Sequence, residues 1–419
     1  MKFIHAADIH LDSPLRGLAR YEGAPVEQVQ NATREAFVHL IHLACREAVD
    51  FVLIAGDLYD VDWKDYNTGL FFNQQMSRLR EANIPVFLVL GNHDAGNHIT
   101  RALQLPENVK IFSSERPETV ILEQLGVALH GQSFADKVVT QNLSHHYPAA
   151  LPGYFNIGLL HTALNGRQEH APYAPCSLSD LLAHGYDYWA LGHVHTYEQV
   201  HTQPWVVFAG NIQGRHVRET GAKGCTLVTV TDDAQVQLTQ VALDVLRWQV
   251  CHLEVNELHQ PHLLLETVRD TVSAQLQQAE GRPLALRFVI QGRCPIHAEL
   301  HSDPERWLNE IRAAATDAGL GHVWVEKIKL QTQPLTDPSL SETAGPLGEL
   351  VDTLRTLPQD NTILHTLSHE FRSLKNALPA EARYSNDKNA HLDPEDPKTI
   401  VQLLNSVEEL LLSRLLTQE

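Results

Sequence analysis

The chain has 419 residues, of which 43% are hydrophobic, and 32 basic against 51 acidic residues give a net charge of −19. This length suits two or three domains with real cores, and the acidic balance argues against a protein that coats nucleic acid through a broad basic face. The sequence contains no uncharged apolar run of the roughly 18 residues that a membrane helix needs, so we expect no membrane association. Five cysteines are scattered without a CxxC pair, which favours reduced thiols and a cytoplasmic location.

The first part of the chain alternates short apolar runs with longer segments of helical periodicity. Apolar residues that recur every three or four positions predict helices at 25–48 and 66–82. Each short apolar run is followed by polar residues, as at the end of a buried strand. The predicted strands are 2–6, 51–55, 86–90, 155–160 and 187–191.

Two further pairs of apolar runs have the character of hairpins. Residues 119–123 are expected to pair with 127–131, and residues 205–208 with 225–230. Together these elements predict an α/β fold in which two packed sheets are flanked by helices. We expect this layered domain to span residues 1–240.

The composition changes after about residue 243, and a small α+β unit is expected at 245–332. It carries no catalytic motif of its own, which favours a cap that supports the first domain or shapes the substrate site. Its predicted elements are strands at 247–255, 284–291 and 322–330 and helices at 261–279 and 304–317.

A segment rich in Pro, Ser and Thr, residues 333–346, precedes a helical region at 346–419. Short amphipathic helices bury little apolar surface alone, so this region is expected either to dock back on the protein or to dock on a partner protein, and the sequence favours the partner. The predicted helices are 347–357, 361–378 and 398–417.

Polar side chains that can bind a metal follow five of the predicted strands. In open α/β sheets, ligands bind at the carboxyl ends of the strands. Carboxylate, imidazole and amide oxygen together suit Mn²⁺, Fe²⁺ or Zn²⁺, and seven such ligands are about right for two ions. The motifs are Asp8-Ile-His10, Gly-Asp57-Leu-Tyr-Asp60, Gly-Asn92-His93-Asp94, Leu-His161 and Gly-His193-Val-His195.

The spacing within two of these motifs suggests how their side chains are directed. Residues i and i+2 of an extended segment point the same way, so Asp8 with His10, and His193 with His195, could each meet one ion. Every motif also has a structural interpretation, because Asp and Asn favour turns and a single His after a strand is often a core residue. Five motifs in order, each at the end of a strand, favour the metal site.

The ordered motifs resemble those of the calcineurin-like metallophosphoesterase superfamily over residues 1 to about 230. The form of the Gly-Asn-His-Asp motif, the small cap and the helical tail resemble the DNA-repair exonuclease branch of that superfamily. The segment 209–224 is similar to SbcD-like bacterial nuclease subunits of the YhaO type.

The resemblance implies a role for each matching residue. His93 would face the scissile phosphate and protonate the leaving oxygen or stabilise the transition state, with Asp60 hydrogen-bonded to it, and Asp94 would orient its neighbours. The first ion would be bound by Asp8, His10 and His195, the second by Asn92, His161 and His193, and Asp57 would bridge the two.

The resemblance also implies a substrate and partners. It indicates a DNA phosphodiesterase of DNA repair that uses two divalent ions, with Mn²⁺ favoured over Fe²⁺, Zn²⁺ or Mg²⁺, and that acts as an exonuclease with single-strand endonuclease activity as a second expectation. An SMC-like ATPase would bind the C-terminal helices, and the nuclease domain would form a homodimer. The alternatives are a phosphoesterase of small molecules and a catalytically silent scaffold for the ATPase.

One basic cluster, Arg215, Arg218 and Lys223, lies near a motif in the sequence. Contact with a substrate phosphate is one interpretation. A solvated surface or a salt bridge to Glu219 is the other.

Overall fold

Two sheets of six strands each dominate the first 242 residues. The computed structural model describes residues 1–13, 26–60, 66–95, 105–164, 173–256, 258–335, 346–372 and 396–401, with positions 403, 404, 407 and 411. The strands are β1 Lys2–Ala6, β2 Phe51–Ala55, β3 Val86–Val89, β4 Val109–Ile111, β5 Glu118–Leu122, β6 Val127–Gly131, β7 Phe155–His161, β8 Tyr188–Gly192, β9 Glu198–Thr202, β10 Trp205–Phe208, β11 Gly224–Val230 and β12 Val236–Ala242.

The order of the strands brings parallel strands to the centre of both sheets. The first sheet has the order β12-β11-β1-β2-β3-β4 and the second β5-β6-β7-β8-β10-β9. Strands β1 to β4 are parallel to one another, and so are β6, β7, β8 and β10. The carboxyl ends of the parallel strands therefore lie along one edge of each sheet.

Buried side chains on both faces explain why the central strands are continuously apolar. In β2, Phe51 and Leu53 belong to the core between the two sheets, while Val52 and Ile54 belong to the core under the first two helices. These helices are α1 Val26–Arg46 and α2 Tyr66–Glu81. In β8, Trp189 packs on the other face of the second sheet. The predicted α/β fold with two packed sheets is confirmed.

The pairing expected for 205–208 with 225–230 is wrong. Strand β10 pairs with β8 and β9 in the second sheet, whereas β11 pairs with β1 and β12 in the first. Val206 and Phe208 are buried with Trp189, so the chain must cross between the sheets after β10. The hairpin of β5 with β6 forms as expected.

A third sheet follows, with the order β13-β14-β15. It consists of β13 Arg247–Glu254, β14 Leu284–Cys294 and β15 Val323–Pro334, with helices α5 Pro261–Gln278, α6 His297–Ser302 and α7 Pro304–Gly319. Two short helices, α3 Asn92–Ala95 and α4 Leu178–Leu182, precede the third sheet in the chain. Helices α8 Pro346–Thr356 and α9 Asn361–Glu370 follow the third sheet.

By the contacts within the chain, two units can be distinguished. One comprises Met1–Val250, Ala274–Arg287 and Gly319–Glu326, and the other comprises Cys251–Ser273, Phe288–Ala318 and Lys327–Glu419. The division into domains at 1–240, 245–332 and 346–419 stays a prediction. Residues 373–395 and most of the helix predicted at 398–417 lie outside the described residues. Among the helices that are described, none has the length and apolar character to cross a membrane.

We predict that Leu129→Ala lowers the free energy of unfolding by about 2–5 kcal/mol, because Leu129 is fully buried between the sheets and its truncation leaves a cavity. The matched control is Ile121→Ala on the adjacent strand, where the side chain is 42% exposed and the expected cost is under about 1 kcal/mol. Urea denaturation measures both. Equal losses would contradict the assignment of this core.

Candidate metal centre

The predicted metal-binding residues meet where strands of both sheets end. Strands β1, β2 and β3 end at Ala6, Ala55 and Val89, and each is followed by one of the motifs. Strands β7 and β8 end at His161 and Gly192, so the second sheet contributes the remaining histidines. Parallel pairing aligns the motifs within each sheet, and the packing of the two sheets brings Asp8 and His195 into one site.

Four of the predicted ligands have a left-handed backbone conformation. The φ angles are 50° at Asp8, 46° at His10, 52° at Asp57 and 100° at His193. Such conformations cost on the order of 1–3 kcal/mol each and persist where the surroundings enforce them, most often at functional sites. Here backbone hydrogen bonds enforce two of them, from Asp8 N to Gly56 O and from His10 N to Asp57 O, both 3.0 Å.

This backbone conformation shows that the extended geometry expected for the two pairs is wrong. Asp8 and His10 do converge, but through a left-handed turn after β1 and not by alternation along a strand. His193 and His195 separate, because His193 clusters with Asp57 and His195 with Asp8. Side-chain alternation applies only to extended residues, and both motifs lie beyond their strands.

The first cluster consists of Asp8, His10 and His195, whose ligand atoms lie within 4.8 Å of one another. The Nε2 atoms of His10 and His195 are 3.2 Å apart, and His195 Nε2 is 4.0 Å from Asp8 Oδ1. Asp8 and His10 are buried. These three residues can bind one ion.

The second cluster consists of Asp57, His161 and His193, also within 4.8 Å. Asn92 joins it, since its Oδ1 is 3.0 Å from His161 Nε2. Asp57 Oδ2 lies between the two clusters, 3.5 Å from His161 Nε2 and 3.9 Å from His10 Nε2. One carboxylate oxygen thus faces both sets of nitrogen ligands, as a bridging ligand would.

Glycines allow this close packing around Asp57 and His161. A Cβ atom at Gly91 would overlap the Asp57 carboxylate and come within 2.9 Å of His161 Cε1. A Cβ atom at Gly192 would overlap the carbonyl of Ala55. A residue with a side chain therefore does not fit at the glycine of either the Gly-Asn-His-Asp or the Gly-His-Val-His motif.

Asp60 contacts two histidines and not only the one expected. Its Oδ1 lies 3.0 Å from His93 Nδ1 and 2.9 Å from His10 Nδ1. Burial alone would raise the pKa of Asp60, but the hydrogen bonds with His10 and His93 lower it well below its usual range. Burial would lower the pKa of His93, yet the close contact with Asp60 and the charge of Asp57 raise it. Both shifts favour an ion pair between the carboxylate of Asp60 and the cationic form of His93.

Asp94 has an orienting position, as the resemblance suggested. Its carboxylate accepts hydrogen bonds from the backbone N–H groups of Leu58 (3.1 Å), Tyr59 (2.9 Å) and Gly91 (3.0 Å). These bonds join the loop after β2 to the loop after β3. Asp94 therefore fixes the positions of Asp57 and Asn92 relative to each other.

The hydrogen bonds of the histidine rings show why these metal-ligating residues suit divalent cations. A carboxylate or carbonyl oxygen only accepts, so His10 Nδ1 donates to Asp60 (2.9 Å) and His161 Nδ1 donates to Ala55 O (2.9 Å). In the neutral rings, each Nε2 then carries a lone pair directed into the site. Lone pairs of neighbouring nitrogen and oxygen atoms repel unless a cation lies between them, and bound divalent ions relieve this repulsion.

No sequence motif marks Glu219, and the sequence left Arg215 between contact with a substrate phosphate and a solvated surface or salt bridge. Glu219 Oε1 is 2.7 Å from His195 Nδ1, and Arg215 Nη2 is 3.0 Å from the same oxygen. Lys223 donates to the carbonyl of His195 at 2.8 Å, while Arg218 is exposed. The structure thus contains the salt bridge of Arg215 to Glu219 that was one interpretation of this cluster. The contact of Glu219 with His195 is visible only in the folded chain.

Comparison with known proteins identifies the class. The family model of the calcineurin-like phosphoesterases matches residues 1–197, and that of the middle domain of metallophosphoesterase YhaO matches residues 248–333. The chain is 38% identical over 299 residues to the uncharacterized metallophosphoesterase YhaO of Bacillus subtilis, covering 70% of this chain and 72% of the relative.

Two archaeal relatives are more distant. The DNA double-strand break repair protein Mre11 of Sulfurisphaera tokodaii is 26% identical over 311 residues, covering 70% of this chain and 74% of the relative. The protein of the same name from Saccharolobus solfataricus is 24% identical over 313 residues, covering 70% and 75%.

The fold, the two clusters and these matches define a metal-dependent phosphoesterase, a hydrolase that acts on ester bonds. The chain belongs to the calcineurin-like metallophosphoesterase family. The resemblance inferred from the motifs is thereby confirmed, and membership in this family implies two divalent ions.

We predict that Mn²⁺ at about 100 times its dissociation constant stabilises the protein by about 2.7 kcal/mol per site, and that Asp57→Asn loses most of this gain because Asp57 faces both clusters. Asp136→Asn, at an exposed position, is the control and should retain the gain. Thermal unfolding with Mn²⁺ and with chelator measures the effect. An undiminished shift in Asp57→Asn would contradict the bridging position.

Proposed function

We propose that the protein is a DNA phosphodiesterase that binds two divalent ions through Asp8, His10, Asp57, Asn92, His161, His193 and His195. The single observation that carries the proposal is the position of Asp57 Oδ2, within 3.9 Å of His10 Nε2 and 3.5 Å of His161 Nε2. A carboxylate between two nitrogen-rich clusters suits a pair of ions about 3.5–4 Å apart. DNA as the substrate is supported by the two relatives named DNA double-strand break repair protein.

The catalytic group that we propose is His93, with Asp60 as its partner. The side chain of His93 is 35% exposed, whereas Asp8, His10 and His161 are nearly or fully buried. With Nδ1 facing Asp60, Nε2 is available to a substrate on the open side of the site. There it would donate a proton to the leaving oxygen or stabilise the transition state.

When bound, the two ions would clamp the phosphodiester and lower the pKa of a water molecule. The chain's own residues supply the rest. Asp94 and the left-handed backbone at Asp8, His10 and Asp57 fix the ligands before substrate binds. Asp60 holds Nδ1 of His93 so that Nε2 faces outward, and it stabilises the cationic form of the ring, which can donate a proton from Nε2.

The proposal includes partners and conditions. Mn²⁺ is the favoured ion, an SMC-like ATPase would bind the C-terminal helices, and the chain would form a homodimer in the cytoplasm. With a net charge of −19 and Arg215 paired with Glu219, we expect weak, salt-sensitive DNA binding by the isolated chain, with the ATPase supplying much of the contact to the duplex.

The decisive assay uses end-labelled single- and double-stranded DNA in Mn²⁺, Mg²⁺ or chelator, with and without the ATPase. We expect metal-dependent cleavage that chelator abolishes. A chromogenic phosphodiester and a phosphomonoester tested in parallel distinguish the phosphoesterase of small molecules. Hydrolysis of these compounds without cleavage of DNA would contradict the proposal, and no hydrolysis of any substrate would favour the scaffold.

We predict that His93→Ala lowers kcat on DNA by about 10²–10⁴-fold, while both ions remain bound. The ligands of both clusters are unchanged in this variant, so calorimetric titration with Mn²⁺ should match the wild type. In contrast, His193→Ala should lose both hydrolysis and one of the ions. Turnover of His93→Ala at the wild-type rate would contradict the assigned role.

A further inference from the structure

Glu219 is a buried carboxylate that the proposed chemistry does not use directly. It lies in the segment that leads from β10 to β11, and its side chain is 6% exposed. Burial of a carboxylate is costly unless it is paired and hydrogen-bonded. Burial alone would raise the pKa of Glu219, but the hydrogen bond with His195 and the charge of Arg215 hold it well below its usual range.

Both carboxylate oxygen atoms of Glu219 have hydrogen-bond partners. Oε1 is 2.7 Å from His195 Nδ1 and 3.0 Å from Arg215 Nη2. Oε2 accepts from the backbone N–H of Arg215 at 2.7 Å and from Asn211 Nδ2 at 3.0 Å. The two contacts to Oε2 thus fix the carboxylate on the side away from His195.

These contacts determine which nitrogen of His195 carries the proton. Arg215 Nη2 also lies 3.2 Å from His195 Nδ1, so the guanidinium could in principle donate to that nitrogen. In that case an unprotonated Nδ1 would lie 2.7 Å from a carboxylate oxygen, and two acceptors would repel. The arrangement is therefore one in which Nδ1–H and Arg215 both donate to Oε1, and Nε2 of the neutral ring carries the lone pair.

We propose that Glu219, fixed by Arg215 and Asn211, is the positioning residue that holds His195 in the tautomer required to bind the ion of the Asp8–His10–His195 cluster. The inference rests on the metal centre of the proposed function. Arg215 also forms an ion pair with a second carboxylate, since its Nη1 is 3.8 Å from Asp60 Oδ2. One guanidinium therefore lies between the carboxylates that contact the outer nitrogens of His195 and His10.

The variant Glu219→Gln tests this because of the donors around Oε2. At the Oε2 position a glutamine NH₂ group would oppose two donors, Arg215 N–H and Asn211 Nδ2. At the Oε1 position it would oppose one donor, Arg215 Nη2, and could itself donate to His195 Nδ1. The second orientation is therefore favoured, and the NH₂ group then faces His195 Nδ1. The His195 proton moves to Nε2, the atom that would bind the ion.

The matched control is Glu326→Gln. Glu326 is likewise 6% exposed and pairs with an arginine, Arg287, at 2.6 Å. Both variants remove one buried carboxylate from an arginine pair, so general destabilisation affects them alike. Arg215→Lys, which retains the charge but loses the forked geometry, is a second variant in case Glu219→Gln does not fold.

Calorimetric titration with Mn²⁺ should show two ions in the wild type and in Glu326→Gln. In Glu219→Gln we expect one of the two ions to bind about 10–100-fold more weakly, and Arg215→Lys should show a smaller loss at the same ion. In ion-free protein with ¹⁵N-labelled histidine, with the His195 signal assigned by its loss in His195→Gln, the ring should be protonated at Nδ1 in the wild type and at Nε2 in Glu219→Gln.

The outcomes separate this inference from the proposed function. Two ions bound with unchanged affinity in both Glu219→Gln and Arg215→Lys would overturn the positioning role and leave the metal centre intact. The same holds for an unchanged tautomer of His195. Wild-type protein that binds no divalent ion would overturn both the inference and the metal centre.

Discussion

The arrangement of the site depends on electron-pair donors that are directed at one another. The Nε2 atoms of His10 and His195 lie 3.2 Å apart, and His161 Nε2 is 3.0 Å from Asn92 Oδ1. When the rings are neutral these contacts bring lone pairs together, and groups outside the site maintain them. Asp60, Glu219 and the carbonyl of Ala55 accept from the outer nitrogens of the three rings. A divalent cation in each cluster would convert this repulsion into coordination and would stabilise the buried polar groups that lie together here.

The surrounding fold supplies the rigidity that this arrangement needs. Central parallel strands in both sheets end at the site, and continuous apolar cores lie on both faces of β2 and β8. The left-handed residues Asp8, His10 and Asp57 store backbone strain that only a well-packed environment can maintain. Asp94 ties two of the loops together through three backbone hydrogen bonds. Stability of the cores and geometry of the site are therefore linked.

The sequence predicted the strands that carry the site because their apolar character is strong and each is followed by polar residues. It could not predict the pairing of β10 and β11, since two apolar runs close in the sequence say nothing about which sheet each will join. It missed β9, Glu198–Thr202, whose polar residues show no apolar pattern. The candidate ligands were found from composition and order, but their distribution between two clusters was implied by family resemblance and not by spacing. Glu219 had no motif to mark it, because its contact with His195 exists only in the folded chain.

Anomalous diffraction from crystals of the wild-type protein grown with Mn²⁺ tests the central claim most directly. The account predicts two peaks about 3.5–4 Å apart, one beside Asp8, His10 and His195, the other beside Asn92, His161 and His193, with the Asp57 carboxylate between them. A single peak, or peaks remote from Asp57, would contradict it.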